Sequence, residues 1–169
     1  MKTTLKSMSA ISLMLFASFM VGGVILEQGL SSAMDRSTSA FVEDGVELRI
    51  SVQKTEFRRG ENIDMTLAVK NHRNENVTFE FSNGHQFDFV VYDKNFEVVC
   101  TWSDDKAFIQ ALTGFALEPG ESRNWVWNWD QMVYNDDTGE YSPIGLGTYH
   151  LRGILVGYMK TPHIKIVIL

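Results

Sequence analysis

The chain has 169 residues, a net charge of −6, 44% hydrophobic residues and a single cysteine, Cys100, which accommodates one domain plus an appendage. Its acidic balance excludes nucleic-acid binding through phosphate neutralisation. One cysteine excludes an intrachain disulfide, so the core must carry the stability.

In chain order, Lys2 and Lys6 precede the uncharged run Met8–Leu26, the pattern of an export segment whose positive end stays inside. At roughly 19 residues the run also suffices to span a bilayer. Ser31 and Ala33 stand at −3 and −1 of a cut before Met34. Residues 1–33 are therefore expected to be a signal peptide or an N-terminal membrane anchor. The remainder is expected to be extracytoplasmic, either secreted or tethered through residues 8–26. Residues 34–44 read as a linker, and residues 45–169 as the folded domain.

From Gly45 onward the pattern changes to period-two alternation. Val46, Leu48, Ile50 and Val52 share one face, and Ile63, Met65, Leu67 and Val69 repeat the pattern after the turn Phe57–Gly60. Further inward sets are Val77, Phe79 and Phe81; Phe87, Phe89 and Val91; and Phe96, Val98, Cys100 and Trp102. Trp125, Trp127 and Trp129 follow the turn Glu118–Glu121, then Tyr149, Leu151 and Leu155, and finally Ile164, Ile166 and Ile168. Between them, Ser103 has the chemistry of an N-cap, Asp104 and Asp105 suit a helix N-terminus, and Phe108, Ala111 and Leu112 recur at helical spacing. The expected fold is an all-β, antiparallel, immunoglobulin-like sandwich of about eight strands with one short helix plugging an end.

Registers constrain the hairpins, because opposed residues share a face. A two-residue Asn83-Gly84 turn would set Phe81 against Gln86. The alternatives are a three-residue loop pairing Phe81 with Phe87, or a crossover between sheets. A Lys94-Asn95 turn would pair Val91 with Val98 and Phe89 with Cys100, inward on inward.

Motifs of nucleophilic, phosphate-binding and metal chemistry are missing from the sequence. No cofactor is expected. His72, His85, His150 and His163 are scattered and read as solvated surface. Asp88 and Asp93 flank one strand and read as its wet face. The acidic stretch Asn135–Glu140 lacks the ligand spacing of an EF-hand and reads as a hairpin tip joining Tyr134 to Tyr141. The three tryptophans of 125–129 share one strand face, which is read as core rather than as a sugar-stacking platform.

Several of these segments together form a pattern. Phe79-Glu-Phe-Ser-Asn-Gly-His-Gln-Phe-Asp-Phe-Val-Val-Tyr-Asp93, Trp102-Ser103, Phe108-Ile-Gln-Ala-Leu112, Leu117-Glu-Pro-Gly-Glu121, Trp129 and Gly147-Thr-Tyr149 resemble the Bacillus-type intracellular proteinase inhibitor domain (BsuPI-like). The resemblance covers most of the chain beyond residue 45. It implies a non-enzymatic inhibitor of a serine proteinase of subtilisin type. The rival expectation is a surface-tethered immunoglobulin-like structural or adhesion module, whose partner would be another envelope protein. The long connection from Trp129 to Gly147 holds the candidate partner-contact residues Met132, Val133, Tyr134, Tyr141 and Ile144, apolar side chains suited to anchoring in a pocket.

Overall fold

The computed structural model describes residues 37–135 and 138–169. The run Met8–Leu26 and the cut site at Ser31 and Ala33 lie outside the described residues. The strands are β1 Thr38–Glu43, β2 Val46–Val52, β3 Glu56–Phe57, β4 Ile63–Asn71, β5 Val77–Phe81, β6 Phe87–Tyr92 and β7 Val98–Thr101. They continue with β8 Thr113–Leu117, β9 Ser122–Trp129, β10 Met132–Asn135, β11 Glu140–Pro143, β12 Gly147–Leu155, β13 Met159–Lys160 and β14 Ile164–Ile168. The protein is all-β, as its alternation predicts, although the expected eight strands become more numerous and shorter.

One sheet runs β1-β2-β4-β9 and the other β3-β14-β12-β6-β7, with β13 beside β12. Their inner faces meet as a sandwich. Leu48, Ile50, Ile63, Met65, Leu67 and Val69 from the first sheet are buried with Phe89, Val91, Leu151, Leu155, Ile164 and Ile166 from the second. In β2 the buried residues alternate with Glu47, Arg49 and Ser51, so burial selects the register and a one-residue slip would expose the whole set. The sheets approach closely at Gly153, where an added Cβ would stand 2.3 Å from Leu67 Cδ1. The aromatic ladder of β9 faces inward, with Trp125 stacked on Phe87 at 4.9 Å and Trp127 lying 6.1 Å from Phe89. Trp129 thus belongs to the core, and Trp125 and Trp127 are half-buried against it.

The chain between β5 and β6 takes the crossover route. β5 pairs with β8, setting Phe79 opposite Phe115, whereas β6 pairs with β12 and β7. Antiparallel pairing dominates, with one parallel exception between β3 and β14.

Four expectations are corrected. The linker over 34–44 contains β1, which pairs with β2 through the Asp44-Gly45 turn. Both turn residues have positive φ, 46° and 73°, the requirement of a tight twisted hairpin that an Asp-Gly pair meets. The β6–β7 hairpin is shifted, with Val91 opposite Cys100 and an irregularity before Tyr92 opposite Val98. Asp93 Oδ1 accepts the backbone N–H of Asn95 and of Glu97 at 2.7 and 2.9 Å, which lengthens the loop. Phe96, at φ 64°, then turns outward onto His150, and Phe96 and Val98 are exposed rather than inward.

The third correction is the helix over 103–112: no helix forms there. Its start signals are used elsewhere. Ser103 donates its hydroxyl and its N–H to Asp88, and Asp104 turns back to accept the N–H and hydroxyl of Thr101. Ile109 and Leu112 are left at the surface. The fourth concerns Asp88, which is buried rather than wet. Besides Ser103 it accepts the N–H of Phe89 at 2.9 Å and faces His85 Nε2 at 3.0 Å. That carboxylate pins the 101–106 turn to β6.

Candidate functional site

Two segments that the sequence separates are brought together at one end of the sandwich. β7 ends one sheet and β9 ends the other, so the seam between them is walled by two terminal strands. Beside the seam stands the separate two-stranded ribbon β10–β11, which pairs Met132 with Pro143 and Tyr134 with Tyr141. Between these walls lies a cleft of about 830 Å³ lined by Cys100, Trp102, Asp104, Trp127, Asp130 and Tyr134, among others.

The ribbon has a fixed base. Gln131, fully buried at φ 64°, donates Nε2–H to the carbonyls of Arg58 and Glu61 at 2.9 and 2.7 Å, and its Oε1 accepts the Gly60 N–H at 2.9 Å. Its own carbonyl accepts the N–H of Ile144 at 2.9 Å. Trp129 Nε1–H donates to the Met132 carbonyl at 3.1 Å, and Asp130 accepts the Met132 N–H at 3.1 Å. The buried side chain of Gln131 at the ribbon's foot is thus fully bonded, as buried polar groups require.

The sequence-predicted contact residues separate into two groups. Tyr134 and Tyr141 are 48% and 55% exposed, with ring centroids 5.2 Å apart. They form a two-ring apolar surface on the ribbon. Met132 and Val133 are half-buried, and Val133 packs against the core. Ile144 is in the core itself, so its expected role as an anchor is corrected. It holds the returning chain to Gln131 instead. Sequence reasoning missed Gln131, Asp104, Asp130, Trp102 and Trp127 as site residues. The Trp ladder was visible, but only the pairing of sheet ends reveals that Trp127 borders an opening.

The electrostatics of the cleft are negative. Burial pushes the Cys100 thiol up to about 12, with smaller contributions from the Asp104 and Asp130 carboxylates. A thiol so held is protonated at neutral pH and a poor nucleophile. Among the described residues no group of three or more His, Cys, Asp or Glu could hold a metal ion.

The sequence-family model described as "BsuPI: Intracellular proteinase inhibitor" matches residues 50–159, well over half of the chain. The chain belongs to this family. The family's description overturns the extracytoplasmic expectation, since it names the inhibitor intracellular. Among the described residues, no helix is long and apolar enough to cross a membrane. Among curated proteins none matches. Solved structures similar to the chain include a β-glucosidase from Listeria innocua in complex with isofagomine, at 15% identity and a TM-score of 0.46, covering 73% of this chain and 16% of that one. Another is the β-glucosidase EmGH1 from Erythrobacter marinus, at 11% identity and 0.45, covering 79% and 15%. A third is the Pseudomonas fluorescens alkylpurine DNA glycosylase AlkC bound to DNA containing an abasic site analogue, at 10% and 0.43, covering 76% and 31%. The chain thus spans 16% of the length of the first of these. Likenesses at this level carry no functional content.

Proposed function

We propose that this BsuPI-family protein is a non-enzymatic inhibitor of a serine proteinase of subtilisin type, and that it engages the proteinase with the β10–β11 ribbon. The observation that carries the placement is the contrast between the ribbon's foot and its face. The foot is fixed by Gln131, Trp129 and Asp130, while the Tyr134–Tyr141 pair is presented to solvent. Inhibition demands such preorganisation, because every side chain or loop ordered on association subtracts from affinity. Aromatic anchors are also the side chains that most often dominate an interface.

The test is a titration of the full chain against a subtilisin-type proteinase, with residual activity measured on a chromogenic peptide. Stoichiometric loss of activity at micromolar concentration is expected. In Tyr134→Ser/Tyr141→Ser inhibition should weaken by about 100-fold, the order expected for removing two interface aromatics, while the thermal midpoint stays within a few degrees. Rapid digestion of the chain, or no inhibition, would overturn the activity. Full inhibition by the double variant would overturn the role of the ribbon.

A further inference from the structure

The cleft between β7 and β9 has three properties that the ribbon's tyrosines do not account for. Its walls include the end strands of two sheets, whose outer backbone edges pair with no described strand. Such edges accept an extended chain as an additional strand. Its lining is aromatic, with Trp102, Trp127 and Trp129 bordering the opening. Its charges do not balance: Asp104, Asp105 and Asp130 face it against Lys106 alone.

That lysine shows what the site accommodates. Lys106 Nζ lies 4.9 Å from the centre of the Trp102 ring and 2.6 Å from Asp105 Oδ1, an ammonium held between an aromatic face and a carboxylate. Asp104 and Asp130 meet no cation among the described residues; they accept hydrogen bonds from Thr101 and from the Met132 N–H. No cation lies over Trp127 among the described residues either. The same cleft therefore holds a second aromatic face, Trp127, and two further carboxylates, Asp104 and Asp130, that meet no cation among the described residues.

We propose that this cleft binds an extended protein segment lying along the β7–β9 seam, with one basic side chain inserted between the tryptophans and the Asp104 and Asp130 carboxylates. Arginine suits it best, since a guanidinium stacks on an indole while its N–H groups reach two carboxylates. The volume of about 830 Å³ is in the range of sites that enclose several side chains. The inference rests on the cleft and not on the inhibitor reading, and its test uses no proteinase.

The probe is a short peptide of alternating valine and threonine with one central arginine, titrated into the full chain by calorimetry. A second peptide replaces arginine by citrulline, which keeps the shape and removes the charge. The arginine peptide should bind at least about ten-fold more tightly than the citrulline peptide, and the advantage should shrink as salt is raised. In Asp104→Asn/Asp130→Asn, where each amide retains an acceptor for Thr101 and Met132, the two peptides should bind alike. Equal binding of both peptides to the unaltered chain, or no binding of the arginine peptide, overturns the proposal. So does an advantage that survives in the double variant. Should that variant fail to fold, the arginine-to-citrulline ratio on the unaltered chain still decides, whatever the outcome with a proteinase.

Discussion

Gln131 is the residue whose replacement most directly tests how the ribbon is held. Its side chain makes three hydrogen bonds to backbone groups some seventy residues away, to Arg58, Gly60 and Glu61, and is fully buried. A net value of about 1 kcal/mol for each bond sets the loss in Gln131→Ala at about 3 kcal/mol, and the cavity left by the removed atoms adds roughly 1. For a domain of this size each kcal/mol moves the melting temperature by about 3–5 °C, so a fall of about 12–20 °C is expected.

Gln131→Glu separates hydrogen bonding from packing. It is isosteric, but it turns an amide that donates to two carbonyls into an oxygen facing them at 2.9 and 2.7 Å. The introduced carboxyl is pushed above its unfolded value near 4.3, because burial and two facing carbonyls disfavour the anion. A raised acid costs least where it is protonated in both states and most above its folded pKa, so this variant should fall further behind the wild type as pH rises from about 4 to 7. Urea unfolding followed by tryptophan fluorescence at both pH values measures the differences. A loss below about 1 kcal/mol in Gln131→Ala, or a pH-independent deficit in Gln131→Glu, would refute the role assigned to these hydrogen bonds.

Asp88→Ala should cost about 2–4 kcal/mol by leaving the Phe89 N–H and the Ser103 donors without their acceptor, whereas Asp88→Asn keeps an acceptor and should cost about 1; equal losses by chemical denaturation would remove the hub. Cys100, its thiol pushed up to about 12 chiefly by burial, should react with a disulfide reagent at pH 8 only after denaturant is added, and prompt reaction of the native chain would contradict its placement. His150 and His163 are held below the ordinary imidazole value, in each case first by burial, then by Lys165 at His150 and by Arg152 and His150 at His163, with Asp93 opposing at His150. A base depressed on folding binds more protons when unfolded, so stability should be complete above about pH 7 and decline as pH falls through the lowered values. His150→Gln/His163→Gln should flatten that decline between about pH 7 and 5, and an unchanged slope would show that other groups cause it.

The core was legible because burial and periodicity are the same fact seen twice. Val46 to Val52, Ile63 to Val69 and Ile164 to Ile168 are buried at every second position, as their alternation requires. The signals that failed are those whose chemistry serves more than one structure. Ser103 and Asp104 have the groups of a helix cap, yet the buried Asp88 and the hydroxyl of Thr101 claim them first. Local side-chain-to-backbone bonds compete with a helix, and a segment of about two turns has too little packing to win. Asp93 acts similarly in the β6–β7 loop, where its carboxylate lengthens the turn and moves Phe96 out of the inward set. β1 went unread for a simpler reason: residues 34–44 read as a linker, whereas Thr38–Glu43 pairs with β2 through the Asp44-Gly45 turn.

The candidate site is harder to read for a different reason. Its lining comes from residues 100–102, 104–106, 127–130, 132, 134 and 141, and no periodicity within any one of these segments reports on the others. What joins them is topology: because β5 crosses to pair with β8, β6 is free to pair with β12, which makes β7 the end of one sheet just as β9 is the end of the other. Two sheet ends that face across a sandwich leave a seam, and an unprotected seam invites unwanted pairing. Here the ribbon stands at the seam with its foot locked by Gln131, and acidic side chains border the rest. Charge and the neighbouring ribbon discourage indiscriminate strand addition while admitting a segment that brings a compensating cation. The same residues therefore serve solubility and selectivity, which is why removing the Asp104 and Asp130 charges should abolish preference for arginine over citrulline and also leave the edge less protected against self-association.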